Sequence, residues 1–260
     1  MKISIEKLFS LEGRTCIVTG GSRGIGRACA NFIAAAGANL AIIGTRQDTA
    51  QKAAEEIAEE YGVKSLGFAC LVQNREEVFS MVAAVEKELG VVDLLHNNAG
   101  IVIGGDSEDY PEESWRQTLD INLNGAFFVM QAVAQRLFEL KKPGSFVNTT
   151  SINTYVTSAP LHESAYNASK AGLLMLSRSL AVEWGARGIR VNCISPGVTK
   201  TDMLDSVGDQ QLMNHWLERT PIGFLGGPND LGGAVLYLLS DASKYTTGVE
   251  ITVDGAYTII

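Results

Sequence analysis

Short apolar runs alternate with amphipathic stretches along most of this chain of 260 residues. Runs of this kind that end at glycine, proline or a polar turn predict β-strands. We predict seven strands, over residues 14–20, 39–45, 64–72, 92–100, 144–151, 189–197 and 248–255. Their nearly continuous apolar character is typical of strands that are buried on both faces.

The segments between these runs carry apolar residues at helical spacing. We predict helices over residues 24–37, 48–62, 75–90, about 115–140, 164–185 and 229–241. Strands that alternate with helices indicate an α/β fold with a doubly wound parallel sheet flanked by helices. The sequence has no linker, low-complexity tract or internal repeat, so we predict a single domain over residues 1–260.

Residues 199–227 have the least regular pattern. A polar helix candidate, DQQLMNHWLER at 209–219, lies there between Gly208 and the turn-rich TPIGFLGGP at 220–228. Long segments that follow the carboxyl end of a strand often form lids or substrate loops. We therefore predict a substrate lid at about 199–227.

Composition narrows the class of protein. The chain is 46% hydrophobic with a net charge of −8 and no cluster of Lys or Arg, which is typical of a globular protein and disfavours nucleic acid or anionic membrane as partners. It has neither the run of about 20 apolar residues of a membrane span nor a signal-peptide pattern at its start. Its four cysteines lack C-x-x-C spacing, which predicts buried reduced thiols in a cytoplasmic protein, without metal ligation.

A glycine-rich turn follows the first predicted strand. In TGGSRGIG at 19–26, Gly20, Gly24 and Gly26 are spaced G-x-x-x-G-x-G. Glycines at such a turn let the backbone approach a pyrophosphate at the N-terminus of the next helix, where free N–H groups favour negative charge. The alternative is a plain strand-to-helix turn, and the position in the first such turn favours dinucleotide binding.

The end of the second strand bears on the choice of dinucleotide. NAD sites usually have Asp or Glu there to hold the ribose hydroxyls, whereas this chain has Thr45 followed by Arg46. Arg23 of the glycine turn can reach the same point, and two guanidinium groups suit a 2′-phosphate. We predict NADP(H) rather than NAD(H); the alternative is two solvated arginines, with Asp48 close enough to pair with one of them.

Four motifs occur in a characteristic order. TGGSRGIG is followed by NNAG at 97–100, YNASK at 166–170, and the dipeptide Pro196–Gly197 at the end of the sixth strand. Together they resemble the short-chain dehydrogenase/reductase family over nearly the whole chain. The resemblance implies a Rossmann-like domain, a nicotinamide cofactor, hydride transfer between a carbonyl and an alcohol, and a homotetramer.

Tyr166 and Lys170 carry the predicted chemistry. A carbonyl that receives hydride needs a proton donor at its oxygen, and a free tyrosine has a pKa near 10, too high for efficient exchange at neutral pH. Lys170 lies four residues later, on the same helical face, so its charge should lower the pKa of the phenol. Tyr155 has no such partner at helical spacing, and we exclude it from the chemistry.

The resemblance implies two further catalytic residues. Ser151 follows the fifth strand at the position of the serine that binds the substrate carbonyl; 14 residues separate it from Tyr166, and a different register would bring Asn153 there instead. An asparagine that interrupts the helix after the fourth strand and holds a water linked to the lysine corresponds to Asn122, with Asn124 as the packing residue.

The resemblance also implies the cofactor contacts. Besides Tyr166 and Lys170, they are Gly20, Ser22, Arg23, Gly24, Ile25, Gly26, Arg46, Asn98, Ala99, Gly100, Pro196, Gly197, Thr199 and Thr201. The chain departs from the family at Leu71, where Asp commonly bonds the adenine, at Phe224, where arginine is common, and in VDGA for VDGG at its end.

The loop between Ser151 and Tyr166 bears on the substrate. Asn153, His162 and Glu163 could bond several hydroxyl groups, which favours a small-molecule sugar, polyol or sugar acid. The alternatives are a 3-oxoacyl thioester reductase or a broad ketone reductase, and a non-catalytic nucleotide sensor. A thioester on an acyl carrier would call for a basic patch that the sequence does not show, and a sensor would not need Tyr166 and Lys170.

Overall fold

The computed structural model describes residues 3–157, 159–201 and 209–260. Its strands are β1 (Thr15–Thr19), β2 (Asn39–Gly44), β3 (Ser65–Ala69), β4 (Leu94–Asn97), β5 (Gly144–Thr149), β6 (Ile189–Pro196) and β7 (Glu250–Val253). Its α-helices are α1 (Ile5–Phe9), α2 (Gly24–Ala35), α3 (Gln47–Tyr61), α4 (Arg75–Leu89), α5 (Glu112–Leu119), α6 (Ala126–Leu140), α7 (Ser164–Gly185), α8 (Gln210–Glu218) and α9 (Gly232–Leu239). Residues 202–208 of the predicted lid lie outside the described residues.

The strands form one parallel sheet in the order β3-β2-β1-β4-β5-β6-β7. The chain moves outward from β1 to β3 and then returns to the other side of β1 with β4. Ligands of such sheets bind beyond the carboxyl ends of the strands where the order reverses, which here is between β1 and β4. The predicted α/β class with a Rossmann-like, doubly wound sheet is confirmed.

Apolar layers cover both faces of the sheet. Ile17, Leu95 and Phe146 point to the layer under α4, α6 and α7, whereas the adjacent Val18 and Leu94 point to the layer under α2, α3 and α9. Successive strand residues face opposite sides, so burial on both sides requires every position to be apolar. This requirement produces the continuous apolar runs in the sequence. No helix among the described residues is long and apolar enough to cross a membrane.

Several predicted elements have other bounds in the structure. The third strand ends at Ala69 and the fourth at Asn97. Cys70 N still donates to Gly44 O at 2.9 Å, but the next residue bonds a side chain, since Leu71 N donates to Glu77 Oε2 at 3.0 Å. The helix predicted over about 115–140 begins at Glu112 and is interrupted by a π-helical segment, Asp120–Gly125. The sequence prediction missed α1, which is five residues long and too short for a periodic pattern.

The four cysteines are buried free thiols, as predicted. Burial raises the pKa of Cys70 to about 11 and that of Cys29 and Cys193 to about 12. Thiols in this state are poor nucleophiles and poor metal ligands. They therefore act as small apolar residues of the core.

Gly67 on β3 sets how closely α3 packs on the sheet. A Cβ there would overlap the backbone of Gln51, whereas one on Gly233, an exposed residue of α9, would meet nothing within 4 Å. We expect Gly67→Ala to lower the free energy of unfolding by about 1–3 kcal/mol because the helix must shift. Gly233→Ala is the matched control and should leave it unchanged or raise it by up to about 1 kcal/mol. Urea unfolding followed by circular dichroism measures both, and an unperturbed Gly67→Ala protein would contradict this packing.

Candidate active site

Three glycines shape the turn between β1 and α2. Gly20 and Gly24 have φ values of +63° and +56°, a region that residues with a Cβ rarely adopt. A Cβ on Gly26 would overlap the carbonyl oxygen of Gly20. The turn therefore brings bare backbone to the start of α2, where helix N–H groups favour an anion.

Polar groups fasten the end of β1 to the end of β4. Thr19 Oγ1 accepts hydrogen bonds of 3.0 Å from the backbone N–H groups of Asn98 and Ala99. Asn98 Nδ2 in turn donates to the carbonyl oxygens of Thr19 and Gly20, at 3.3 Å each. The Asn98 side chain, predicted as a cofactor contact, thus holds the glycine turn in place.

The two arginines predicted at a 2′-phosphate begin neighbouring helices. Arg23 is the N-cap residue of α2 and Arg46 that of α3, and both are exposed. Because β1 and β2 are adjacent and parallel, both residues follow strand ends at one edge of the sheet. Arg46 pairs with Asp48 at 3.2 Å, and both side chains are mostly exposed. An exposed pair contributes at most about 1 kcal/mol, so a phosphate can displace Asp48.

Ser22 and Ile25, two further predicted cofactor contacts in the glycine turn, lie next to other parts of the fold. Ser22 Oγ lies 3.9 Å from where a Cβ on Gly44 would be, which puts Ser22 beside the end of β2. Ile25 packs against the apolar layer under α2. Its side chain therefore belongs partly to the core.

The segment after β6 crosses the carboxyl edge of the sheet towards the glycine turn. Following Pro196, Gly197 N donates to Val253 O at 2.9 Å, and Thr199 Oγ1 donates to Gly197 O at 2.9 Å. Thr201 Cγ2 lies 3.7 Å from where a Cβ on Gly24 would be. The segment thus reaches the turn that the predicted phosphate contacts occupy.

Asn122 occupies the π-helical segment and is fully buried. Its Oδ1 accepts from Ile101 N at 2.8 Å, and its Nδ2 donates to Ile101 O at 2.9 Å and to Ser169 Oγ at 3.0 Å. Asn124, the alternative, is exposed and bonds Asp120. Asn122 therefore joins the loop after β4 to α7, in agreement with its selection over Asn124.

Tyr166 and Lys170 share one face of α7. Lys170 Nζ lies 5.6 Å from the centroid of the Tyr166 ring. The ammonium group is buried and donates to Thr149 O, at the end of β5, at 2.8 Å. The spacing of four residues thus brings the two side chains together as predicted.

Ser151 follows β5, and its side chain is close enough to the Tyr166 phenol to lower the pKa of that phenol. Its Oγ also accepts from Asn153 N at 3.2 Å. The Asn153 side chain instead donates to Asn167 Oδ1 at 2.7 Å and to Glu163 Oε2 at 3.2 Å. The structure therefore brings Ser151 rather than Asn153 to the phenol.

The three predicted substrate contacts occupy different environments. Asn153 is buried, and Glu163 is half-buried beside it. The imidazole of His162 is exposed and paired with Asp106. Asn153 and Glu163 therefore lie at the catalytic groups, whereas His162 lies on the outer side of the loop.

Comparison with known proteins agrees with this geometry. The family described as enoyl-(acyl carrier protein) reductase matches residues 20–258. A sorbose reductase of Candida albicans is 40% identical over 98% of this chain and 90% of its own length. A probable NADP-dependent mannitol dehydrogenase of Yarrowia lipolytica is 40% identical over 98% and 91%. The chain belongs to the short-chain dehydrogenase/reductase family.

Solved structures of this family share the whole fold. The NADPH-dependent 3-quinuclidinone reductase of Rhodotorula rubra superposes with a TM-score of 0.94 at 36% identity, covering 100% of this chain and 97% of its own. A gluconate 5-dehydrogenase of Burkholderia cenocepacia, in complex with NADP and tartrate, gives 0.93 at 29% identity, covering 99% and 100%. The resemblance stated from the motifs is thus confirmed: the chain is a short-chain dehydrogenase/reductase, an oxidoreductase family.

In this short-chain dehydrogenase/reductase, burial dominates the acid–base balance. Burial raises the pKa of Tyr166 to about 12, against a hydrogen bond with Ser151 that lowers it and a Glu163 carboxylate that raises it further. Lys170 Nζ donates to Thr149 O rather than to the phenol, and its effect on the pKa of Tyr166 beside a bound nicotinamide stays a prediction. The chain keeps Tyr166 protonated, the form that donates a proton to a carbonyl.

Glu250 is a residue that the sequence analysis missed. Its carboxylate on β7 accepts hydrogen bonds from the hydroxyls of Thr150 at 2.9 Å, Thr154 at 3.3 Å, and Tyr155. Burial and this carboxylate raise the pKa of Tyr155 to about 12, and Tyr155 serves as an anchor. Glu250 thus fixes both sides of Ser151. A lone acidic residue in an apolar strand was the available signal.

The backbone beside these residues fits a nicotinamide dinucleotide. A Cβ on Gly100 would lie 3.2 Å from Asn122 Oδ1 and 3.4 Å from Lys170 Nζ, so a side chain there would crowd both groups. The glycine turn likewise presents bare backbone at the start of α2. Leu71, which stands where the family commonly has an aspartate, lies beyond β3 and is 41% exposed. An apolar side chain therefore takes the place of the carboxylate.

The buried ammonium predicts a pH dependence of stability. Burial lowers the pKa of Lys170 from 10.5 to about 8, so the unfolded chain binds this proton more tightly than the folded chain does. The free energy of unfolding of the wild-type protein should therefore increase relative to that of Lys170→Met as the pH rises from about 8 to about 10.5. The expected increase is on the order of 3 kcal/mol. Urea unfolding across this range measures the difference. Lys52→Met, which removes an exposed ammonium of α3, is the control. Its difference in unfolding free energy from wild type should not change with pH. A pH-independent difference for Lys170→Met would contradict the prediction.

Proposed function

We propose that this protein is an NADP(H)-dependent oxidoreductase that interconverts a ketone and a secondary alcohol in a sugar, polyol or sugar acid. The observation that carries the proposal is the buried Lys170 ammonium, 5.6 Å from the centroid of the Tyr166 ring. Ser151 completes the group, because its side chain lowers the pKa of the Tyr166 phenol. Relatives named sorbose reductase and mannitol dehydrogenase support the substrate class.

The residues divide the chemistry among themselves. Ser151 donates a hydrogen bond to the substrate carbonyl oxygen, and Tyr166 donates the proton as negative charge develops there. Lys170 stabilises the phenolate that remains, and Asn122 holds the Ile101 loop against α7. The nicotinamide cofactor, when bound, supplies or accepts the hydride.

The cofactor would lie across the carboxyl ends of β1, β2 and β4. The glycine turn, Asn98 to Gly100 and the segment from Pro196 to Thr201 form its walls. Arg23 and Arg46 suit the 2′-phosphate because guanidinium groups bind phosphate through paired hydrogen bonds. Relatives named for NADP and the NADP complex of a similar structure support the choice.

The described part of the predicted lid supports a role in substrate binding. Leu212 and Trp216 of α8 pack against Ile152, next to Ser151, and against Tyr257 near the C-terminus. We propose that residues 199–227 close over the substrate as part of a single domain that spans residues 1–260.

Assembly and location follow the family expectation. We propose a homotetramer in the cytoplasm. Exposed apolar side chains on the outer face of α7, Met175 at 59% and Val182 at 86%, support contacts between copies of the chain, since apolar patches of this kind mark interfaces.

Two alternatives give different results in a substrate panel. The description of the matched family raises an acyl-carrier substrate, so a 3-oxoacyl thioester or a simple β-keto ester would be reduced faster than a ketose. A nucleotide sensor would bind NADPH and reduce nothing. Oxidation of NADPH with ketoses, keto acids and β-keto esters distinguishes these outcomes.

Tyr166→Phe tests the proton donor. We expect it to lower kcat for ketose reduction at least about 1,000-fold, because the proton donor is lost, while NADPH binding persists. Tyr155→Phe removes the phenol of the loop between Ser151 and α7. This variant is the control and should keep most of the activity. Steady-state kinetics and NADPH fluorescence titration measure the two effects, and substantial turnover by Tyr166→Phe would contradict the assigned role.

Arg46→Ala tests the choice of cofactor. We expect wild-type protein to prefer NADPH to NADH, and Arg46→Ala to raise the KM for NADPH about tenfold with little change for NADH, since only NADPH carries the 2′-phosphate. Arg116→Ala, which removes an exposed arginine of α5 paired with Glu112, is the control. A wild-type preference for NADH, or equal effects on both cofactors, would contradict the 2′-phosphate site.

A further inference from the structure

Glu163 immediately precedes α7 but does not cap it. It is the N-cap residue of the helix, yet its side chain accepts no hydrogen bond from the first helical turn. Its Oε2 accepts instead from Asn153 Nδ2 at 3.2 Å. The carboxylate is therefore turned towards the loop that carries Ser151.

Asn153 ties this carboxylate to the catalytic groups. The residue is 8% exposed, and its backbone N–H donates to Ser151 Oγ at 3.2 Å. Its Nδ2 also donates to Asn167 Oδ1 at 2.7 Å, and Asn167 is adjacent to Tyr166. Glu163 and Ser151 are thus linked through one buried residue, by its side chain on one side and its backbone N–H on the other.

The Glu163 carboxylate also acts on Tyr166. It is joined through Asn153 to Asn167, the residue after Tyr166, and its negative charge raises the pKa of the phenol. A substrate whose carbonyl oxygen contacts Ser151 and Tyr166 would therefore place its neighbouring atoms near a carboxylate.

A second acidic segment docks on the same loop. Gly105 N donates to His162 O at 2.9 Å, and Ser107 Oγ donates to Ser164 Oγ at 3.1 Å. The segment 104–110 also contains Asp106, Glu108 and Asp109, and Asp106 pairs with the imidazole of His162, the residue before Glu163. An acidic segment thus contacts the loop that leads to Glu163.

We propose that Glu163 is a specificity-determining residue that selects uncharged polyhydroxylated substrates and rejects anionic ones. This inference rests on the proposed function and narrows it to ketoses and polyols, against sugar acids and acyl carriers. The carboxylate accepts hydrogen bonds from substrate hydroxyls and repels a carboxylate or phosphate. A neutral polyol donates further hydrogen bonds to the half-buried carboxylate, whereas an anion adds a second negative charge.

The expected size of the effect follows from Coulomb's law. Two like charges about 6 Å apart at an effective dielectric constant of about 20 disfavour binding roughly 100-fold. Partial exposure and mobile ions reduce this to about tenfold. Charge at Glu163 is therefore sufficient to separate a ketose from a keto acid of the same length.

The test compares two substrates in two variants. Reduction of sorbose and of 5-keto-gluconate by saturating NADPH gives the ratio of kcat/KM for the neutral and the anionic substrate. We expect this ratio to be above ten in wild-type protein, and to fall about tenfold in Glu163→Gln, which keeps the acceptor oxygen and removes the charge. Glu59→Gln, which removes the same charge from an exposed position on α3, should leave the ratio unchanged.

A second measurement needs no variant. Raising the ionic strength from about 0.01 M to about 1 M shortens the screening length from about 30 Å to about 3 Å, so the wild-type ratio should fall with salt. An unchanged ratio in Glu163→Gln and in salt, or a wild-type preference for the keto acid, would overturn the inference while the proposed oxidoreductase remains. If wild-type protein binds NADPH but reduces neither substrate, the proposed function itself fails.

Discussion

The ammonium group of Lys170 is the constraint on which the catalytic geometry depends. A buried charge is costly unless polar groups receive it, and here the carbonyl of Thr149 accepts its hydrogen bond. This bond fixes α7 against the end of β5, from which the chain continues directly to Ser151. The position of the cation thereby sets the distance between the serine and the tyrosine, which lies on the same helical face.

Several polar residues at the carboxyl edge of the sheet serve the fold before they serve any ligand. Thr19 and Asn98 hold β1 and β4 together around the glycine turn, and Asn122 replaces a missing strand partner for Ile101. The strands end at this edge of the sheet. Without these side chains, the backbone N–H and C=O groups that follow the strands would lack hydrogen-bond partners. At the turn and at Gly100 the neighbouring atoms are so close that a Cβ would crowd them, so the backbone itself faces any ligand there.

Sequence patterns predicted what depends on spacing and periodicity. The apolar runs indicated the parallel sheet, and the four-residue interval between Tyr166 and Lys170 indicated a shared helical face. The pKa of Tyr166 was not predictable in this way, because it depends on burial and on the neighbouring Ser151 and Glu163 side chains, which spacing along the chain does not report. Glu250 was missed because its partners Thr150, Thr154 and Tyr155 are distant in the sequence.

The bond between Thr150 and Glu250 joins residues that are 100 positions apart. Closing a loop of this length costs chain entropy, so the bond forms at the expense of ordering much of the chain. The loop that carries Ser151 has one anchor on β6, where Thr150 Oγ1 donates to Ile194 O at 2.8 Å, and a second on β7, the last strand. A chain shortened before β7 would therefore keep the glycine turn but lose half of the support for its serine.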